Sequence, residues 1–114
     1  MHELSLAQGI CDTVVRHAPA PERVRTVVVE WGPLSGVVPQ SLTYCFGIVA
    51  PAVGLTAATL ELRTVPASAT CPACGEQFAV EEMWAECPRC GHSPVTVLGG
   101  TEFRLKEIEV DDSS

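Results

Sequence analysis

One pattern occurs twice in this chain, Cys71-Pro-Ala-Cys74-Gly75 and Cys87-Pro-Arg-Cys90-Gly91, with twelve residues between the copies. Each Cys-x2-Cys turn sets two thiolates on one side of a tight loop. Two such loops complete a tetrahedron with sulfur about 2.3 Å from a metal ion. The glycine after each second cysteine supplies a positive φ, which lets the backbone curl and aim N–H groups at the sulfurs. The spacing predicts that Cys71, Cys74, Cys87 and Cys90 hold a structural zinc. Iron in the same cage and a pair of disulfides are the alternatives. Four thiolates leave no open coordination position, so the site is structural and an enzyme is the least favoured class. From residue 66 to about 98 there is little beyond Phe78, Val80, Met83 and Trp84 to build a core, so this segment is expected to depend on its metal. His92 follows the second turn, either as an alternative ligand or as an exposed loop residue.

The rest of the 114-residue chain is long enough for one modest core. Leu4, Ala7, Cys11, Val14, Val15 and Ala18 recur at helical spacing until Pro19 and Pro21, which predicts a helix over about 3–18. Val24 to Trp31 is β-branched and apolar, the pattern of a central strand, and Gly32-Pro33 ends it. Between Pro39 and Pro51, Leu42, Cys45, Phe46 and Val49 share one helical face. This is a second helix of about three turns. Leu60, Leu62 and Thr64 alternate with Thr59, Glu61 and Arg63 as in a half-buried strand. In Thr101 to Val110, Phe103 and Leu105 stand in one phase and Ile108 and Val110 in the other, which predicts a bulge or a passage between sheets. This last strand is expected to complete the first sheet, with Asp111 to Ser114 a solvated tail. The fold class is α+β, with a cysteine module inserted between strands.

Seven Lys and Arg against 14 Asp and Glu give a net charge of -7, which opposes a phosphate-binding role. No apolar run is long enough to span a bilayer and the first residues lack a signal peptide's layout, so the expected location is cytoplasmic. Cys11 and Cys45 fall on apolar helical faces and read as small buried hydrophobes. His17 suits the end of the first helix. Glu81, Glu82 and Glu86 are a solvated face or an attraction for a basic partner.

The terminus Met1-His2-Glu3 offers a second metal chemistry. An initiator methionine before histidine is retained, and its α-amine, the His2 backbone nitrogen and a His2 ring nitrogen can close fused chelate rings. Planar nitrogen ligation suits Ni(II) or Cu(II). Glu3 supplies a backbone nitrogen or a carboxylate oxygen for the remaining position. The competing reading is a zinc-ribbon adaptor for protein partners without a nickel site of its own.

The opening Met1-His-Glu-Leu-Ser-Leu6, the strand end Glu30-Trp-Gly-Pro-Leu-Ser35, the helix Ser41-Leu-Thr-Tyr-Cys-Phe46, both Cys-Pro-x-Cys turns and the closing Leu105-Lys-Glu-Ile-Glu-Val110 resemble the HypA family from end to end. The resemblance implies a nickel-binding α/β domain of two helices against a three-stranded sheet, over 1–65 and 99–114, and a zinc-ribbon domain over 66–98. It implies a nickel metallochaperone for nickel-iron hydrogenase maturation, with transferable Ni2+ at His2, supported by Glu3 and Met1, and structural Zn2+ on the four cysteines. The partners it implies are a hydrogenase-maturation GTPase and the hydrogenase large subunit, with neither nucleic acid nor membrane insertion. A weak homo-oligomer is compatible with it. Some family members carry an acidic residue before the second helix, where this chain has Val38-Pro39-Gln40.

Overall fold

A computed structural model describes residues 2–82 and 85–111. Met1, the core candidates Met83 and Trp84, and the expected tail beyond Asp111 lie outside the described residues. Among the described residues, two helices and six strands follow in the order α1 (His2–His17), β1 (Val24–Trp31), α2 (Pro39–Ala52), β2 (Thr59–Thr64), β3 (Ser68–Thr70), β4 (Gln77–Ala79), β5 (Thr96–Leu98) and β6 (Phe103–Val110). A 3-10 turn at Pro21–Arg23 joins α1 to β1. The strands make two three-stranded sheets, in the orders β2-β1-β6 and β4-β3-β5. The chain divides into two compact units.

The first unit comprises residues 1–29, 37–63 and 104–114. Here α1 packs against α2. Ala7, Ile10, Cys11 and Val14 of α1 are buried, as are Leu42, Cys45, Phe46 and Ala50 of α2. These are the apolar stripes that a period of 3.6 puts on one face. Val27, Val28 and Val29 are each 0% exposed. Successive strand residues face opposite sides, so β1 is covered on both and is the middle strand. Leu60 and Leu62 of β2 are half-buried while Glu61 and Arg63 are exposed, as the alternation requires, although Thr64 is exposed as well.

Two boundaries differ from the periodicity. Pro51 does not stop α2, which runs on to Ala52, about four turns. The stop comes three residues later, where Gly54 takes φ +95° and the Leu55 N–H turns back to the Ala50 carbonyl at 2.9 Å. In β6 the half-buried positions change phase between Leu105 and Ile108, yet the strand stays in one sheet and Val110 is exposed.

The second unit comprises Glu30–Gly36 and Thr64–Phe103. Its strands are three residues each, with Ala69 of β3 opposite Phe78 of β4 and Val97 of β5, both antiparallel. Ala67, Ala69 and Val80 are buried and Leu34, Phe78, Ala85 and Val95 pack against them. The segment Glu30–Gly36 belongs here because its backbone pairs with the end of the module. The Gly32 N–H donates to the Glu102 carbonyl at 2.8 Å and the Leu34 N–H to the Gly100 carbonyl at 2.7 Å. A Cβ on Gly32 would run into the Gly100 carbonyl, which is the reason for glycine there.

Among the described residues no helix is long and apolar enough to cross a membrane. Leu42→Ala opens a cavity at a fully buried position and is expected to lower unfolding free energy by about 2–5 kcal/mol. Chemical denaturation checks it. Gly32→Ala is expected to cost about 1–3 kcal/mol through the clash with Gly100, seen as a lowered thermal midpoint.

Candidate metal centre

The two cysteine turns fold as near copies of each other. The Gly75 N–H donates to the Cys71 carbonyl and the Gly91 N–H to the Cys87 carbonyl, each at 2.8 Å. The return bonds run from the Cys71 N–H to the Glu76 carbonyl at 2.9 Å and from the Cys87 N–H to the His92 carbonyl at 3.0 Å. Gly75 and Gly91 take φ of +80° and +75°, and a Cβ on either would meet nothing within 4 Å, so backbone conformation and not space selects glycine. His92 is exposed and enters the turn through its backbone.

The four sulfurs lie within 4.8 Å of one another and form a group that could hold a metal ion. Cys71 faces Cys90 at 3.5 Å and Cys74 faces Cys87 at 3.7 Å. A tetrahedral ion with sulfur at about 2.3 Å needs edges of about 3.8 Å, so the cage fits zinc. A disulfide needs about 2.05 Å, and all six cysteines are free thiols. Cys71 and Cys87 are buried, whereas Cys74 and Cys90 are exposed.

The sulfurs do not share one acidity. Burial pushes the Cys87 thiol up, but the N–H groups of Cys90 and Arg89 outweigh it and bring it down to about 7. Both donate to its sulfur at 3.4 Å. Cys71 is lowered in the same way, with burial opposed by the N–H groups of Cys74 and Ala73. The His92 N–H favours the Cys90 thiolate, yet the neighbouring Cys71 thiol, burial and the other two sulfurs push it up to about 12. Cys74 is raised too: the Glu76 N–H favours its thiolate, but burial and the Cys71 and Cys87 thiols prevail. Cys71 and Cys87 are lowered and Cys74 and Cys90 raised, because backbone N–H groups outweigh burial at the first two and a thiol that keeps its proton donates to the thiolate beside it. A divalent cation among them removes the conflict.

The amino-terminal candidates lie in the first unit. His2 is exposed at the first residue of α1 and Glu3 follows in its first turn, half-buried. Met1 lies outside the described residues. The His2 Nδ1 stands 3.7 Å from Glu3 Oε2. The same oxygen accepts a hydrogen bond of 3.2 Å from the Val38 N–H at the start of α2. That bond, then Glu3's own N–H and the charge of His2, hold the carboxyl below its ordinary value. Nothing in the sequence points to the Val38 contact, because a backbone donor carries no residue signature and stands 35 positions away.

The other candidates behave as their side chains suggest. Cys11 and Cys45 are buried, and burial pushes the Cys11 thiol up to about 11, which makes it unreactive. The His17 Nδ1 lies 2.8 Å from the Thr13 carbonyl, so the ring folds back on the last turn of α1. Glu81, Glu82 and Glu86 are exposed.

Comparison with known proteins bears on the whole chain. The family model described as "Hydrogenase/urease nickel incorporation, metallochaperone, hypA" matches residues 1–110. The hydrogenase maturation factor HypA of Albidiferax ferrireducens is 41% identical over 113 residues, covering 97% of this chain and 100% of that protein. That of Dechloromonas aromatica is 40% identical over the same shares. The solution structure of the Ni metallochaperone HypA from Helicobacter pylori matches with a TM-score of 0.62 at 20% identity, over 95% of this chain and 96% of that one. A second HypA solution structure matches with a TM-score of 0.57 at 20% identity, over 94% of this chain and 91% of that one. At that identity the two structures speak for the fold, and the family match speaks for the kind of protein. Matched by the family model over residues 1–110 and 41% identical to one hydrogenase maturation factor HypA along its length, this chain belongs to the HypA family of nickel-incorporation metallochaperones.

Proposed function

We propose that this protein is a cytoplasmic nickel carrier that binds Ni(II) at Met1, His2 and Glu3. It hands the ion to the large subunit of a nickel-iron hydrogenase together with a maturation GTPase, and performs no catalysis of its own. In this reading residues 1–65 and 99–114 carry nickel. Residues 66–98 form a ribbon whose Cys71, Cys74, Cys87 and Cys90 hold structural zinc.

The observation that carries the nickel reading is where His2 stands. It is exposed, and it opens a helix. The first N–H groups of a helix have no carbonyl of their own helix to bond. The His2 amide nitrogen is therefore not committed to the α1 ladder. It can join the α-amine and an imidazole nitrogen around one ion in the planar arrangement that nickel accepts. An exposed His2 also suits an ion that must be passed on. Family membership supports nickel over copper as the cargo, since intrinsic affinity alone would favour copper.

The zinc reading rests on the donor set. Four sulfurs with edges of 3.5 and 3.7 Å across the two turns suit a closed tetrahedral site. Zinc there would supply positive charge that holds four thiolates together, and the protein's part is to orient them with backbone N–H groups.

Nickel titration of the zinc-loaded protein is expected to find one site, lost both in His2→Ala and in a chain extended by one residue before Met1, with zinc content unchanged. Binding that survives both changes moves the cargo site elsewhere. Removing zinc with a chelator is expected to abolish amide protection in β3, β4 and β5 while α1 and α2 keep theirs, because the few apolar residues of that segment cannot hold it alone. Hydrogen exchange followed by NMR reads both at once. Unchanged protection in β3 after complete zinc loss would refute a structural role for the metal.

A further inference from the structure

Helix α2 begins at a terminus that its own sequence does not cap. Val38 at the N-cap has no side-chain oxygen, and Pro39 at the first helical position brings no N–H. Three residues after the cap, where a capping box carries Glu or Gln to reach back to the cap's own N–H, the chain has Ser41. The missing bond comes from α1. Glu3 Oε2 accepts the Val38 N–H at 3.2 Å across 35 positions of sequence. Its side chain is 18% exposed although it stands beside the chain's first residues. The positive ends of α1 and α2 both favour a carboxylate at this point. The 3.7 Å gap to the His2 ring is longer than a hydrogen bond, so the short contact of Oε2 is with the α2 backbone.

We propose that the Glu3 side chain is a positioning group: its carboxylate, itself outside the nickel coordination sphere, supplies the capping-box bond that α2 lacks and thereby fastens the start of α1 and holds His2 in place. The proposal rests on the nickel reading above and narrows it. The Glu3 side chain is already committed to Val38, so what this residue can offer the ion directly is its backbone nitrogen. A carboxylate that left for the metal would give up the Val38 N–H, leaving it to water, together with the favourable field of two helix ends. The bond also makes the cargo end of α1 and the start of α2 one mechanical piece within the first unit.

Glu3→Gln keeps an oxygen that can accept from Val38 and removes the charge, whereas Glu3→Ala removes both. In the zinc-loaded, nickel-free protein the Val38 amide is expected to exchange slowly in the wild type and in Glu3→Gln, and about tenfold or more faster in Glu3→Ala. Nickel affinity is expected to stay within about threefold in Glu3→Gln and to fall about tenfold or more in Glu3→Ala. Adding nickel to the wild type is expected to leave the Val38 amide protected. Loss of that protection on nickel addition, or a Glu3→Gln affinity as poor as that of Glu3→Ala with the Val38 amide still protected, would mean that the carboxylate acts as a ligand and would overturn the proposal. So would a Val38 amide that exchanges at the same rate in all three nickel-free proteins. A wild type that takes up no nickel refutes the nickel reading instead, and the Val38 comparison, which uses no nickel, still decides whether the anchor exists.

Discussion

Four sulfurs held within 4.8 Å of one another cannot all carry negative charge unless a cation sits among them. The second unit is built on that constraint. Its strands are three residues long, and Ala67, Ala69 and Val80 are small for a core. Burial on that scale contributes far less than metal binding, which is worth about 10–16 kcal/mol in isolated fingers. The order of this unit therefore lies in the turns. Glycine at positive φ, paired backbone bonds within each loop and N–H groups aimed at sulfur all bring the thiols to the spacing that a tetrahedral ion requires.

The first unit is held by a different force. Val24, Val27, Val28 and Val29 of β1 are wholly buried and the facing stripes of α1 and α2 are closed to water, so burial of apolar surface does the stabilising. Such a core needs no metal, which leaves the exposed His2 at the start of α1 free for the cargo role proposed above. The two proposed metal sites would call for opposite surroundings. A structural ion needs a closed set of four donors, and a transferable one needs an accessible terminus with uncommitted nitrogen.

The proposed nickel site would need the start of α1 held in place. The Glu3 bond to Val38 meets that need with a single carboxylate that two helix termini favour. The α2 terminus accepts help from α1 because Val38-Pro39-Gln40-Ser41 lacks the residues that would cap it locally.

Much of this molecule is legible in the order of its residues. The stripe from Ala7 to Val14, the valine run of β1 and the alternation in β2 are local periodicities, and local periodicity reports which face is buried. The spacing of the four cysteines announces their meeting because turn geometry is also local. Other features are not legible in this way. The end of α2 past Pro51 turns on a backbone bond from Leu55 to Ala50, while the pairing of Gly32–Leu34 with Gly100–Glu102 and the capture of the Val38 N–H by Glu3 each join a backbone group to a distant partner. Backbone donors and acceptors are the same at nearly every residue, so no pattern of side chains marks them. The sequence by itself determined the elements and the cluster of sulfurs. Only the tertiary structure decided which orphaned N–H would meet which carboxylate, because that depends on where two helix ends arrive in space.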